Sequence, residues 1–316
     1  MNCFTQIIGQ NQAIELIQQA LAKNRIAPAY LFAGTPGIGR ALTAKCFSEC
    51  LLSFHLTPEQ QLLVQKRIKA GNHPDLFWVQ PTYQHQGQFL SAKEAEAAGL
   101  KRKAPPQIRI EQIRDITQFL SRPPLESPRA VVVIEDANTM TEAAANALLK
   151  TLEEPGKATL ILVAPSTDSL LPTLVSRCQR IPFYRLSLEQ MKQLLKNQGQ
   201  EEVLSHPELL AISQGSPGEA IAALAQLNAI PEALRQQVIH FPKSPLKALE
   251  LAKLLDQELD TQTQLWLIDY LQYSYWHKHH KKAILEALEK ARQCLLTYVQ
   301  PRLVWECTLL EIIKSR

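Results

Sequence analysis

Residues 34 to 41 read GTPGIGRA, and residue types at these spacings belong to phosphate chemistry. A loop of the form GxxxxGK[ST] wraps a phosphate with backbone N–H groups, reaches its outer oxygens with the Lys and binds Mg²⁺ through the hydroxyl. Gly34, Gly37 and Gly39 supply the wrapping backbone here. Arg40 stands at the Lys position, however, and Ala41, with no oxygen to offer a metal, stands at the hydroxyl position. The shell of a phosphate loop is kept while its reactive groups are changed. Glycines alone can hold a phosphate without hydrolysing it, so the residue types leave nucleotide binding open.

Such a loop works only between a strand and a helix, and the flanking residues predict both. AYLFAG is a short apolar run that ends at the loop, and ALTAKCFSECLL continues as a helix. RAVVVIEDA carries four consecutive β-branched residues, Val131 to Ile134, suited to a strand covered on both faces. A helix is expected after it, with Thr139 and Glu142 at capping-box spacing, an apolar stripe of Ala145, Leu148, Leu149 and Leu152, and Pro155 past its end. TLILVAP is a third strand. Repeated strand and helix units predict an α/β domain with a doubly wound parallel sheet.

After Pro182 the periodicity turns helical. Ser187 and Gln190 form a further capping box, with Leu186 and Met191 at the spacing of a hydrophobic staple. Three domains are expected: an α/β domain over 1–181, a small helical domain over 182–229 and a second helical domain over 230–316. Residues 51–108 hold the weakest signals and read as a variable insertion with a long loop. In the last domain Leu246, Leu249, Ile284, Leu288, Ala291 and Leu295 mark amphipathic helices. Leu265, Trp266 and Ile268, beside the stripe of Ile284, Leu288 and Leu295, are expected to leave apolar surface for contacts with other chains.

Composition narrows the function classes. Of the 316 residues, 46% are hydrophobic and 20% charged, and no apolar run approaches the ~18 residues of a membrane span. The first residues have neither a basic leader nor an apolar signal core, so the cytoplasm is the expected compartment. Six scattered cysteines without a CxxC pair argue against a disulfide framework. A net charge of +4 is too mild for a stand-alone nucleic-acid binder. The run WHKHHKK at 276–282 invites a metal or phosphate reading, yet a charged run at a helix is more often a solvated face, and KRK at 101–103 reads as an exposed loop.

Taken in order, IIGQ (7–10), AYLFAGTPGIGR, GNHPDLFWV, NALLKTLEEP (146–155), LLPTLVSRCQ, GSPG and PRLVWE resemble the clamp-loader family of AAA+ proteins over nearly the whole chain. The resemblance implies an α/β domain, a helical lid and a helical collar that joins a ring of five subunits. In members that hydrolyse ATP the second strand ends in Asp then Glu, which organise Mg²⁺ and the attacking water; here the order is Glu135 then Asp136. Each carboxylate is displaced by roughly one methylene, about 1.5 Å, and catalysis is sensitive to shifts of about 1 Å. The polar sensor after the third strand falls at Pro165, with Ser166 beside it, and the sensor Arg of the lid falls at Gly218. The family's four-Cys zinc pattern is absent: only Cys46 and Cys50 occur there, and they could reach a metal with His55 or His73 but read better as helix thiols.

One residue keeps its chemistry under this resemblance. The Arg of the SRC block, here Arg177, enters the ATP site of a neighbouring subunit as an arginine finger, a role suited to a permanent charge on a planar fork. The resemblance therefore implies a non-hydrolysing subunit of the DNA polymerase III clamp loader, needing no cofactor of its own, with ATP or Mg²⁺ at Gly34, Gly37, Gly39, Arg40, Glu135 and Asp136 as the open alternative. Its partners would be the motor ATPase subunits and the delta subunit, and through them the sliding clamp and primed DNA. The rival expectation is a hydrolysing motor subunit in which Arg40 replaces the Lys.

Overall fold

Branched Cβ atoms crowd a helix and pack well on a pleated surface, and in the computed structural model Val131 to Ile134 lie in a strand whose five residues are all buried. The described residues are 3–54, 56–85, 87–97, 105–279, 282–297 and 299–314. His55, the KRK run and His280 and Lys281 of the WHKHHKK run fall outside them. The chain divides into two compact units, Met1–Gln190 and Met191–Arg316.

The first unit starts with a 3₁₀ turn, Cys3–Gln6, and continues with α1 (Asn11–Ala22), β1 (Ala29–Ala33), α2 (Arg40–Leu52), α3 (Pro58–Ala70) and β2 (Leu76–Val79). A hairpin of β3 (Tyr83–His85) and β4 (Gln88–Leu90) follows, then α4 (Ala92–Ala97), α5 (Ile110–Leu120), β5 (Ala130–Ile134), α6 (Glu142–Glu153), β6 (Ala158–Ala164), α7 (Pro172–Val175) and β7 (Gln179–Pro182). Five strands form one sheet in the order β2-β5-β6-β1-β7, and every pairing in it is parallel.

Alternation along each strand divides the core into two layers. Tyr30, Phe32, Val131, Val133, Ile161 and Val163 pack with Ile17, Phe47, Leu51 and Ile68 of α1, α2 and α3. Leu31, Val132, Ile134, Leu160 and Leu162 pack with Ile113, Ile116, Leu148, Leu152 and Leu174 of α5, α6 and α7. At roughly 1.5–3 kcal/mol per large apolar side chain buried, both faces of β5 and β6 contribute, and that is why these two strands lack polar alternation.

The expected parallel α/β sheet is present, with three local differences. The helix after β5 is capped by Thr141, whose hydroxyl accepts from Ala144 N; Thr139 instead donates its hydroxyl to the Asp136 carbonyl at 2.8 Å. Residues 51–108 are not mainly loop, because α3 and the edge strand β2 lie within them. The strand β7 was also absent from the sequence reading: its pattern is exposed, exposed, buried, half-buried, too polar to stand out. The GNHPD block has a structural task. Buried Asp75 accepts N–H groups from Leu125, Glu126 and Ser127 at 2.6, 2.8 and 2.7 Å, and Asp75 N donates to His73 Nδ1 at 3.2 Å.

The helix α8 (Leu188–Asn197) opens with the expected reciprocal cap, Ser187 N to Gln190 Oε1 at 3.0 Å and Gln190 N to Ser187 Oγ at 3.2 Å. Beyond it lie α9 (Pro207–Ile212), α10 (Pro217–Ala229), α11 (Glu232–Ile239), α12 (Pro245–Glu258), α13 (Thr261–His279), α14 (Lys282–Leu296) and α15 (Pro301–Lys314). Ile268, Ile284, Leu288 and Leu295 are buried inside this unit, so they are its core rather than the spare surface expected of them. Its outward apolar residues are others, among them Leu246, Leu249, Trp276, Leu296 and Leu303. Trp305, fully buried, donates Nε1–H to Gln264 Oε1 at 2.9 Å, and Gln264 Nε2 donates to the Leu259 carbonyl at 2.9 Å, which ties α15 to α13 and the end of α12.

Candidate functional site

Strand β1 lies between β6 and β7, so the glycine loop leaves the sheet at its carboxyl edge where the strand order turns back, the place where doubly wound sheets bind ligands. Gly37 (φ +74°) and Gly39 (φ +101°) take backbone conformations that L side chains rarely adopt, and Gly39 is the residue from which α2 starts. Gly34 is required for another reason. A Cβ there would stand 2.6 Å from the Phe183 carbonyl oxygen and 2.7 Å from Phe183 Cβ. The loop is held from the other side by Gln10, a buried residue whose Nε2 donates to the Ile38 carbonyl at 3.3 Å and the Tyr184 carbonyl at 2.7 Å, while its Oε1 accepts from Tyr184 N at 3.0 Å.

The groups that would act on a phosphate are engaged with one another. The Arg40 side chain is only 6% exposed, and its Nη2 lies 4.0 Å from Asp136 Oδ1, on a carboxylate 55% exposed. Asp136 has a left-handed backbone, φ +44°, which Asp tolerates better than most residues and which is braced by Thr139 N donating to the Asp136 carbonyl at 2.8 Å. Its neighbour Glu135 accepts from Gln80 Nε2 at 2.6 Å. Ala41 offers no ligand, and the next hydroxyl along α2, that of Thr43, is buried and donates to the Gly39 carbonyl at 2.9 Å. Pro165 follows β6 directly, and Ser166 beside it is exposed. Gly218, in the second unit, is the second residue of α10 and brings no side chain. A Mg²⁺ here would lack its hydroxyl ligand and would compete with Arg40 for Asp136 and with Gln80 for Glu135, so the donor set fits a metal poorly.

Arg177 belongs to a different part of the unit. It follows α7, between Ser176, whose hydroxyl donates to the Thr173 carbonyl at 3.1 Å, and Cys178, which packs against the sheet core. Burial pushes the Cys178 thiol up to about 11, so it stays protonated and serves as an apolar anchor. The Arg177 side chain is 37% exposed; its Nη2 donates to Glu153 Oε1 at 2.7 Å and its Nη1 to the Thr173 carbonyl at 3.0 Å. Neither partner is part of the glycine loop.

The alternative metal set does not assemble among the described residues. Cys46 hydrogen-bonds to the Cys3 carbonyl at 3.3 Å, the sulfurs of Cys3 and Cys50 lie 3.5 Å apart, and His73 turns its Nδ1 to Asp75. No group of three or more His, Cys, Asp or Glu side chains able to hold a metal is found among the described residues. No described helix is long and apolar enough to cross a membrane.

A parallel sheet with a glycine loop after its interior strand β1, two acids at the end of β5 and a second unit whose described elements are all helical define a P-loop protein of the AAA+ clamp-loader class. The family described as DNA polymerase III, delta subunit matches residues 9–187, and that described as cyanobacterial DNA polymerase III delta prime, C-terminal domain matches residues 189–312. The chain belongs to the DNA polymerase III delta-prime family. It is 30% identical over 269 residues to DNA polymerase III subunit delta' of Pseudomonas aeruginosa, covering 79% of this chain and 74% of that one. To the Bacillus subtilis subunit delta' it is 34% identical over 218 residues, 67% of this chain and 58% of the relative's length. In fold it is similar to a gamma subunit-related protein of Thermotoga maritima, with a TM-score of 0.51 at 17% identity over 96% of this chain and all of that one.

The sequence reading singled out the loop, the acids and Arg177, and it missed Gln10, Gln80 and Glu153. Gln10 was inside a block that carried the resemblance, yet nothing in its type announces a clasp on residues 174 positions away.

Proposed function

We propose that this chain is a non-hydrolysing subunit of a DNA polymerase III clamp loader that supplies Arg177 to the ATP site of a neighbouring subunit. The observation that carries the proposal is the contrast between two of the chain's arginines, Arg40 and Arg177. Arg40, at the position of the phosphate-binding Lys, is buried against Asp136, whereas Arg177 stands exposed. A buried guanidinium turned toward a carboxylate of its own chain is poorly placed to neutralise a γ-phosphate, and a glycine loop without hydroxyl, ordered acids or sensor lacks the positioning that phosphoryl transfer depends on. An exposed Arg with a planar fork matches the oxygens of a phosphate offered from outside the chain.

The delta' relatives and the two family matches support assembly with other clamp-loader subunits. On this reading the partners are the motor ATPase subunits and delta, with the sliding clamp and primed DNA reached through the complex, and this chain needs neither ATP nor Mg²⁺ of its own. The test is DNA-stimulated ATP hydrolysis by the reconstituted complex at matched assembly. Arg177→Ala is expected to lower turnover substantially, within the roughly 10³- to 10⁵-fold range of arginine fingers and short of zero if other subunits carry their own. Equal rates for wild type and variant would refute the finger role.

A further inference from the structure

We propose that Glu153 is the positioning residue of the Arg177 guanidinium, an inference that rests on the finger reading above. Arginine has a long, rotamer-rich side chain, and an exposed one that is not held samples many directions before it can meet a phosphate. Here two of its nitrogens are fixed from different elements. Nη1 donates to the Thr173 carbonyl at 3.0 Å, a backbone group of α7 that also accepts the Ser176 hydroxyl at 3.1 Å. Nη2 donates to Glu153 Oε1 at 2.7 Å, on the last residue of α6. Two anchors on separate helices define the plane of the fork, which one anchor could not.

The location of Glu153 gives a second, independent reason. An acid at the last residue of a helix faces the negative end of the macrodipole and is disfavoured there, and Glu154 adds another negative charge next to it. Local helix electrostatics therefore oppose Glu153, and its favourable interaction is the one with Arg177. Both side chains are about half exposed, 37% and 53%. A pair in that setting is weak and does not compete strongly with a phosphate, so the carboxylate orients the guanidinium without sequestering it.

The experiment uses the reconstituted complex, with DNA-stimulated phosphate release measured across ATP concentrations at matched assembly. Glu153→Ala is expected to lower kcat about threefold to tenfold, the size of losing the preorganisation of one side chain, with KM for ATP unchanged because a finger acts in the transition state. Glu153→Gln keeps an oxygen acceptor at the same reach and should recover most of the rate. Glu153→Ala added to Arg177→Ala should cost nothing further, since Glu153 acts only through Arg177. A wild-type rate for Glu153→Ala beside a slow Arg177→Ala would overturn the positioning role and leave the finger standing. An additive loss in the double variant would overturn it equally. A wild-type rate for Arg177→Ala would sink the finger reading and this inference with it.

Discussion

Gly34 is the position at which a phosphate-loop glycine can be shown to serve the fold. In Gly34→Ala the new Cβ would stand 2.6 Å from the Phe183 carbonyl oxygen, 2.7 Å from Phe183 Cβ and 2.7 Å from Ile38 Cδ1, where ordinary contact begins at 3.4 Å. Ile38 can turn its terminal methyl away. The two Phe183 atoms cannot, because Phe183 N is bonded to the Ala33 carbonyl at 2.8 Å and its ring packs on Phe32 at 5.3 Å between centroids. The segment after β7 must therefore separate from β1 by several tenths of an ångström. Overpacking of this kind costs about 1–3 kcal/mol. At roughly 2–4 °C per kcal/mol for a unit of 150–250 residues, the thermal midpoint should fall by several degrees. The assay is thermal unfolding together with amide hydrogen exchange in peptides covering β1 and β7, where exchange should rise. Gly39→Ala is the control, since its Cβ meets nothing within 4 Å; left-handed backbone strain of about 1–2 kcal/mol should destabilise it without loosening β7. An unchanged midpoint and unchanged exchange at β7 in Gly34→Ala would refute the reasoning and return the glycine to a phosphate-binding explanation.

Two further outcomes follow from the same geometry. The double change Arg40→Lys with Ala41→Thr should leave phosphate release by the isolated chain at background, because Glu135 stays bonded to Gln80 and the sensor position remains Pro165; measurable turnover would count against a site lost at several points. His73 should make stability fall on acidification: desolvation lowers its pKa in the fold, Arg67 adds to this, and Asp75 and Glu126 offset part of it. Its depressed pKa means that the unfolded chain binds the extra proton first, so the stability held above about pH 6.5 is lost as pH falls from there toward the folded value. The proton would also have to displace the Asp75 N–H from Nδ1. Thermal midpoints across that range should decline less steeply in His73→Gln.

The residues by themselves determined the parts of this protein that depend on short-range pattern. Val131 to Ile134 announced a strand buried on both faces, GTPGIGRA announced a glycine loop between a strand and a helix, and Ser187 with Gln190 announced a helix start, because β-branching, the need for φ > 0 and capping are local properties. The substitutions at Arg40, Ala41, Pro165 and Gly218 were equally legible, since a missing oxygen or amine is visible in the residue name. Tertiary structure decided everything that depends on who lies opposite. Strands β2 and β7 sit at the sheet's edges: the polar residues of β7 erase the hydrophobic signal that marks interior strands, and the four apolar residues of β2 are too short a run to tell strand from helix. The stripe of Ile284, Leu288 and Leu295 became core rather than interface, because an apolar face says that something covers it and not what. Most of all, the sequence named two arginines of unlike fate but could not separate them. Burial against Asp136 for Arg40, and the exposed pairing with Glu153 for Arg177, join residues of separate strands and helices that only the fold brings together.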